Sequence, residues 1–91
     1  MMMNSARPQW TTAEMDAYER AHALLNAVIA AYSGRIGSAP TRQTAQALRK
    51  ERAPLLEERD TLTASDRTRI EEIIREMPSR LAALREGGAG E

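Results

Sequence analysis

His22 is the one imidazole in the chain and so the first residue to consider for chemistry. Histidine titrates near neutral pH, serves as a general base and ligates metals. A base needs a nucleophile within hydrogen-bond reach, and a metal needs further donors. With no cysteine and no second histidine, only carboxylates are left to complete such a site. His22 also falls within the stretch Ala21–Ala31, in which it and Asn26 are the sole polar residues. Both therefore read as contact residues: a histidine packed at a helix boundary, and an asparagine that fixes register, as a lone polar side chain does in an apolar seam. The sequence predicts no catalytic residue, no metal site and no cofactor, and the chain reads as non-enzymatic.

A second constellation is basic. Arg35, Arg42, Arg49, Lys50 and Arg52 fall within eighteen residues whose only acid is Glu51. Clustered cations suit phosphate, so Arg42, Arg49, Lys50 and Arg52 are the candidate nucleic-acid contacts. Two features weigh against that alternative. No aromatic residue interleaves the segment to stack on bases, and thirteen basic residues are balanced by thirteen acidic ones. The acids Glu57, Glu58 and Asp60, with Glu71 and Glu72, supply hard oxygen donors but lack the spacing of a calcium loop. Arg59, Arg67 and Arg69 lie near enough in sequence to neutralise them as surface ion pairs.

The elements that carry these residues are helical. Apolar content comes from Ala, Leu, Ile and Met, with one Val, no Phe, and Trp10, Tyr18 and Tyr32 as the only aromatics. The β-branched and aromatic enrichment of strands is missing. Residues 1–10 read as a disordered lead. Thr11 followed by Glu14 is a capping-box pattern, with Trp10 and Met15 placed as a hydrophobic staple, so a first helix is expected over about 12–34. Met15, Tyr18, His22, Leu25, Ile29, Tyr32 and Ile36 recur at steps of three and four along it. The helix is apolar nearly all round beyond Ala21, which predicts neighbours on several sides and a central position. Gly34 is the expected stop.

A second helix is expected over about 41–61, capped by Ser38 or Thr41 and carrying Ala45, Leu48, Leu55, Leu56 and Leu62. Pro54 should kink or break it, since proline removes a backbone donor and crowds the preceding turn. Thr63 and Asp66 signal another cap, and a third helix over about 64–86 presents Ile70, Ile73, Ile74, Met77, Leu81 and Leu84. Pro78 again predicts a kink or break. The pairs Arg67–Glu71, Glu71–Arg75 and Glu76–Arg80 are spaced to bridge along its outer face. Gly87 and Gly88 should end it, leaving 87–91 as a flexible tail.

Three helices with short connections give an all-α, up-down-up bundle with coiled-coil-like packing, spanning residues 11–86 as one domain. Its core is thin for a monomer of this size, which favours self-association or a larger protein partner. The first reading is thus a protein–protein interaction module, a homo-oligomer such as a dimer, or a small regulatory subunit. Its interface is expected to use Tyr18, His22, Leu25, Asn26, Ile29, Tyr32, Ile70, Ile74, Met77 and Leu81. No stretch reads as a membrane span or a signal peptide, and the expected compartment is the cytoplasm.

Overall fold

A computed structural model describes residues 11–90 of the chain, with side chains through Glu86. It holds three helices: α1 (Thr12–Gly37), α2 (Arg42–Thr61) and α3 (Arg67–Gly90). The start of α1 follows from its cap. Thr11 Oγ1 accepts the Glu14 N–H at 3.1 Å, and the Glu14 carboxylate accepts the Thr11 N–H at 2.9 Å. The reciprocal pair satisfies two backbone donors that the first helical turn leaves free. The predicted staple partner, Trp10, lies outside the described residues, as do the rest of the predicted N-terminal lead and Glu91.

The far end of α1 differs from expectation. Gly34 does not close the helix, which runs on to Gly37 with Ser38 as its C-cap. No described glycine takes a positive φ. The Gly34 carbonyl instead accepts both the Ser38 N–H at 3.2 Å and the Ser38 hydroxyl at 3.1 Å. Glycine costs a helix about 1 kcal/mol and does not forbid one. Pro40 supplies the firmer stop, because it disfavours helical backbone at Ala39.

Thr41 caps α2 by accepting the Thr44 N–H at 3.0 Å. The helix is then continuous through Pro54, so of the two expected outcomes, a kink or a break, the break does not occur. Lys50, whose carbonyl loses its donor to the proline, is exposed along with Pro54, and the vacant acceptor lies on the solvent side. Pro78 is likewise internal to an unbroken α3. That helix begins three residues later than expected. Asp66 turns back and accepts the Thr63 N–H at 3.0 Å, closing the turn 63–66, and the first α3 bond runs from Ile70 N–H to the Asp66 carbonyl. Backbone helix continues past Gly87 and Gly88 to Gly90, where a flexible tail was expected.

Side-chain bonds fix the directions. Tyr32–Glu51 and Asn26–Arg59 set α2 antiparallel to α1, while Glu14–Arg67 and Tyr32–Arg80 set α3 parallel to it. The chain is an up-down-up three-helix bundle, 62 Å long and about 20 Å across. α1 packs against both other helices, yet no Cα of α2 comes within 8 Å of one in α3. The space between them is filled by side chains. Ala21, Leu25, Val28, Ile29 and Tyr32 of α1 meet Leu55 and Leu62 from one side, and Ile70, Ile73, Met77 and Leu84 from the other. The buried line of α1 is therefore turned relative to the predicted stripe. Ala21 and Val28 are fully buried, whereas His22 is only half-buried.

Because Pro54 is exposed within an unbroken helix, Pro54→Ala should restore one backbone bond and raise unfolding stability by about 1–2 kcal/mol in urea titrations. An unchanged or lower midpoint would show that the α2 backbone is shaped around the proline.

Candidate interaction surface

Tyr32 is the polar junction of the bundle. Its ring is 2% exposed, its hydroxyl donates to Glu51 Oε1 at 3.0 Å, and Arg80 donates to that hydroxyl through Nε at 3.1 Å and Nη2 at 2.7 Å. The Arg80 guanidinium also lies 5.4 Å from the ring centroid, within cation–π range. One residue of α1 thus ties α2 and α3 together. Burial raises the Tyr32 pKa above its ordinary value. Arg80 pulls it down and Glu51 adds to the rise.

A second link joins the helices lower down. Arg69 reaches Glu58 of α2 through two nitrogens, Nη2 at 2.7 Å, and Glu72 at 3.0 Å. Hydrogen bonding to Glu58, more than any other contact, raises the Arg69 pKa and holds the guanidinium charged. Arg67 pairs across to Glu14. None of the three predicted i,i+4 pairs forms: Arg67 and Arg80 point to α1 instead, and Arg75 approaches its neighbour Glu76 at 3.9 Å. Of the acids grouped in the sequence, Glu58 and Glu72 share Arg69 and Asp60 meets Arg59, while Glu57 and Glu71 have no arginine partner among the described residues. Among the described residues no set of three or more His, Cys, Asp or Glu stands ready to hold a metal.

Half of the ten residues predicted for an interface are already used inside the chain. Leu25, Ile29, Tyr32, Ile70 and Met77 are buried among the three helices. An approaching partner does not reach them without opening the bundle. His22 stacks loosely on Tyr18, ring centroids 5.8 Å apart, and Asn26 Nδ2 lies 3.4 Å from His22 Nδ1. Asn26 is exposed and accepts from Arg59 at 3.4 Å, so it sits at the edge of the core and not within an apolar seam. His22 has no carboxylate or nucleophile among its hydrogen-bond partners.

Ile74 and Leu81 differ from the rest. Each is half-buried, packed on the core and open on the other side, as are Leu24 and Ala31 of α1. Their place follows from helical spacing at about 100° per residue. Asn26 and Ser33 mark the α2 side of α1, and Leu24 and Ala31 lie roughly 160° round from them. Arg69 and Arg80 mark the α2 side of α3, and Ile74 and Leu81 lie roughly 100–140° round. All four thus border the α1–α3 seam on the flank turned away from α2. At its lower end the seam opens into a cleft of about 310 Å³ lined by Ala13, Glu14, Ala17, Ala64, Arg67, Ile70 and Glu71. Glu14 and Arg67 are spent on each other, which leaves Glu71 as the rim charge with no partner among the described residues.

The sequence alone singled out Ile74 and Leu81 but missed Leu24, Ala31 and the cleft. The seven-residue spacing from Leu24 to Ala31 was available as a signal, hidden because α1 is apolar in nearly every direction. Of the four candidate phosphate contacts, Arg42, Arg49 and Lys50 are exposed. Arg52 is turned onto α1, donating to Ser33 Oγ at 2.9 Å with its Nε buried and unpaired. No helix among the described residues is long and apolar enough to cross a membrane.

Tyr32→Phe should cost about 1–2 kcal/mol of unfolding stability, since Glu51 and Arg80 lose their shared partner but keep access to water. A raised folded-state pKa means that Tyr32 holds its proton longer in the native state than in the unfolded one. Its contribution is complete below pH 10 and is lost as pH climbs through the folded pKa. Denaturation curves from pH 8 to 11.5 should therefore fall more steeply for the parent than for Tyr32→Phe, and parallel curves would refute the assignment.

No known protein family matches the chain, and neither does any curated protein or solved structure.

Proposed function

We propose that this chain is a non-enzymatic protein–protein interaction module that docks through the α1–α3 flank. The observation that carries the reading is the run of half-buried Leu24, Ala31, Ile74 and Leu81 beside the open cleft. Two helices cover α1, and this flank is where a further helix fits. Apolar side chains already ordered by the core lose little entropy when covered, so their burial converts efficiently into affinity. The charged lining of the cleft is Glu14 paired with Arg67, and Glu71 at the rim, while its alanine floor suits close approach of a helix. Charged residues at its rim select the partner.

A second reading has its own observation. Arg42, Arg49 and Lys50 are exposed on the half of α2 that holds no acid other than Glu51, which is bonded to Tyr32. Such a surface would bind phosphates without reading sequence.

Ile74→Glu and Leu81→Glu should each weaken association roughly tenfold or more, read as mass by light scattering across a concentration series. Helicity should stay at the parent level, because neither residue is fully buried. Parent-like mass in both variants would end the docking reading for self-association, and failure to capture any partner's binding signal would end it generally. For the second reading, affinity for a short duplex should fall with salt at a log–log slope of about −3, corresponding to three phosphate contacts. Arg49→Glu with Lys50→Glu should abolish that binding, and no binding at low salt refutes it.

A further inference from the structure

Among the described residues, Arg52 Nε is the buried side-chain polar atom left without a partner. Such an atom costs a folded chain stability and calls for a reason. The Arg52 guanidinium donates to Ser33 Oγ at 2.9 Å, a neutral acceptor that offers no opposite charge. Ser33 does not depend on that bond, because its hydroxyl donates to the Ile29 carbonyl at 3.0 Å. Arg59, Arg67 and Arg69 each meet a carboxylate instead. The surroundings explain the difference. No acid occurs from Arg20 to Lys50, so the part of α1 that faces the first half of α2 holds none. None of Arg42, Arg49, Lys50 and Arg52 has an acid three or four residues away on α2. Glu51 is bonded to Tyr32, Glu58 to Arg69 and Asp60 to Arg59. Glu57 remains, a drop of about 10 Å along the helix from Lys50.

At about 100° per residue, Arg42, Arg49 and Arg52 fall within an arc of roughly 80° on α2. Arg49 stands opposite Glu58, which reaches α3, so these arginines line the outer α1–α2 seam. We infer that this seam grips the phosphodiester backbone of a nucleic acid, with Arg52 held on Ser33 until a phosphate draws it out. This rests on the reading of Arg42, Arg49 and Lys50 as phosphate contacts, to which Arg52 adds a fourth. A phosphate accepts two guanidinium donors at once. On leaving Ser33, Arg52 exchanges one bond to a neutral hydroxyl and an unpaired Nε for a charged, two-fold bond. The Ser33–Ile29 bond stays in place. From Arg42 to Arg52 the cations extend about 15 Å along α2, against a duplex that carries one charge per about 1.7 Å. The exposed residues beside them are Ser33, Gly34, Gly37, Ser38 and Gln46. None of these is a large apolar anchor of the kind that a docked protein segment uses, which favours a nucleic-acid backbone over an acidic peptide.

Fluorescence anisotropy of a labelled short duplex, titrated with the parent, Arg52→Gln and Ser33→Ala from about 25 to 200 mM salt, tests the release of Arg52. Arg52→Gln should weaken binding about fivefold and flatten the log–log salt slope by about 0.9, the share of one phosphate contact. Ser33→Ala removes the competing acceptor and should tighten binding about threefold at an unchanged slope. Ser33 is exposed, so this second variant should keep the parent's helicity even if Arg52→Gln disturbs packing. Parent slope and affinity in Arg52→Gln, or no gain in Ser33→Ala, would overturn the role of Arg52 and leave the other three contacts standing. No duplex binding by the parent at the lowest salt would end the phosphate reading as a whole. Displacement of the duplex by poly-glutamate at equal charge concentration would overturn a nucleic acid as the ligand.

Discussion

α1 has to be covered by two helices that do not approach each other, and most of the structure follows from how that is managed. α2 and α3 contribute leucines, isoleucines and a methionine that reach inward over α1, so the gap between them is filled by side chains and not by backbone proximity. The buried line of α1 alternates small and large, with Ala21 beside Leu25 and Val28 beside Tyr32, a pattern that lets both neighbours interdigitate. Apolar packing of this kind is not directional. Helix level and sense are set where polar atoms must find partners, at Tyr32 between Glu51 and Arg80, and at Arg69 between Glu58 and Glu72. A buried hydroxyl left unpaired would cost about 1–3 kcal/mol, so a slip of one helical turn would be penalised there first.

The fold class and the starts of α1 and α2 were legible because each depends on a few adjacent residues. Thr11 with Glu14 and Thr41 before Arg42 are local chemistry, and the structure forms both caps. The helix ends were less legible, because glycine's preference for a stop is weak beside the gain from continued packing. Gly34 lies within α1 for that reason, two residues beyond the buried Tyr32. Salt-bridge partners were the least legible of all. Arg67 and Arg80 have well-spaced acids on their own helix, yet both turn to α1, Arg67 to Glu14 and Arg80 to the buried Tyr32 hydroxyl.

The interface was half legible for a related reason. Periodicity identifies which side chains avoid water but does not say whether the chain or a partner covers them. Leu25 and Ile74 look alike in the sequence, each spaced on an apolar stripe. Only the placement of α2 separates them, burying Leu25 and leaving Ile74 open on the far flank. His22 illustrates the converse. Its neighbours suggested a buried contact, but α2 reaches only to about the level of Ala23 before turning, so His22 and Tyr18 remain half-exposed below its end.

The shortness of α2 has a further consequence. It spans 20 residues against 26 in α1 and 24 in α3, and it lies wholly alongside the basic half of the bundle and beyond. The lower half of α1 therefore has α3 as its main helical neighbour, with the 62–66 turn beneath α2, and that is the region where the cleft opens and acids predominate. A monomer built this way is uneven: one half is walled by three helices and the other by two. The missing wall is on the side that α2 vacates, where Tyr18 and His22 stand half-exposed.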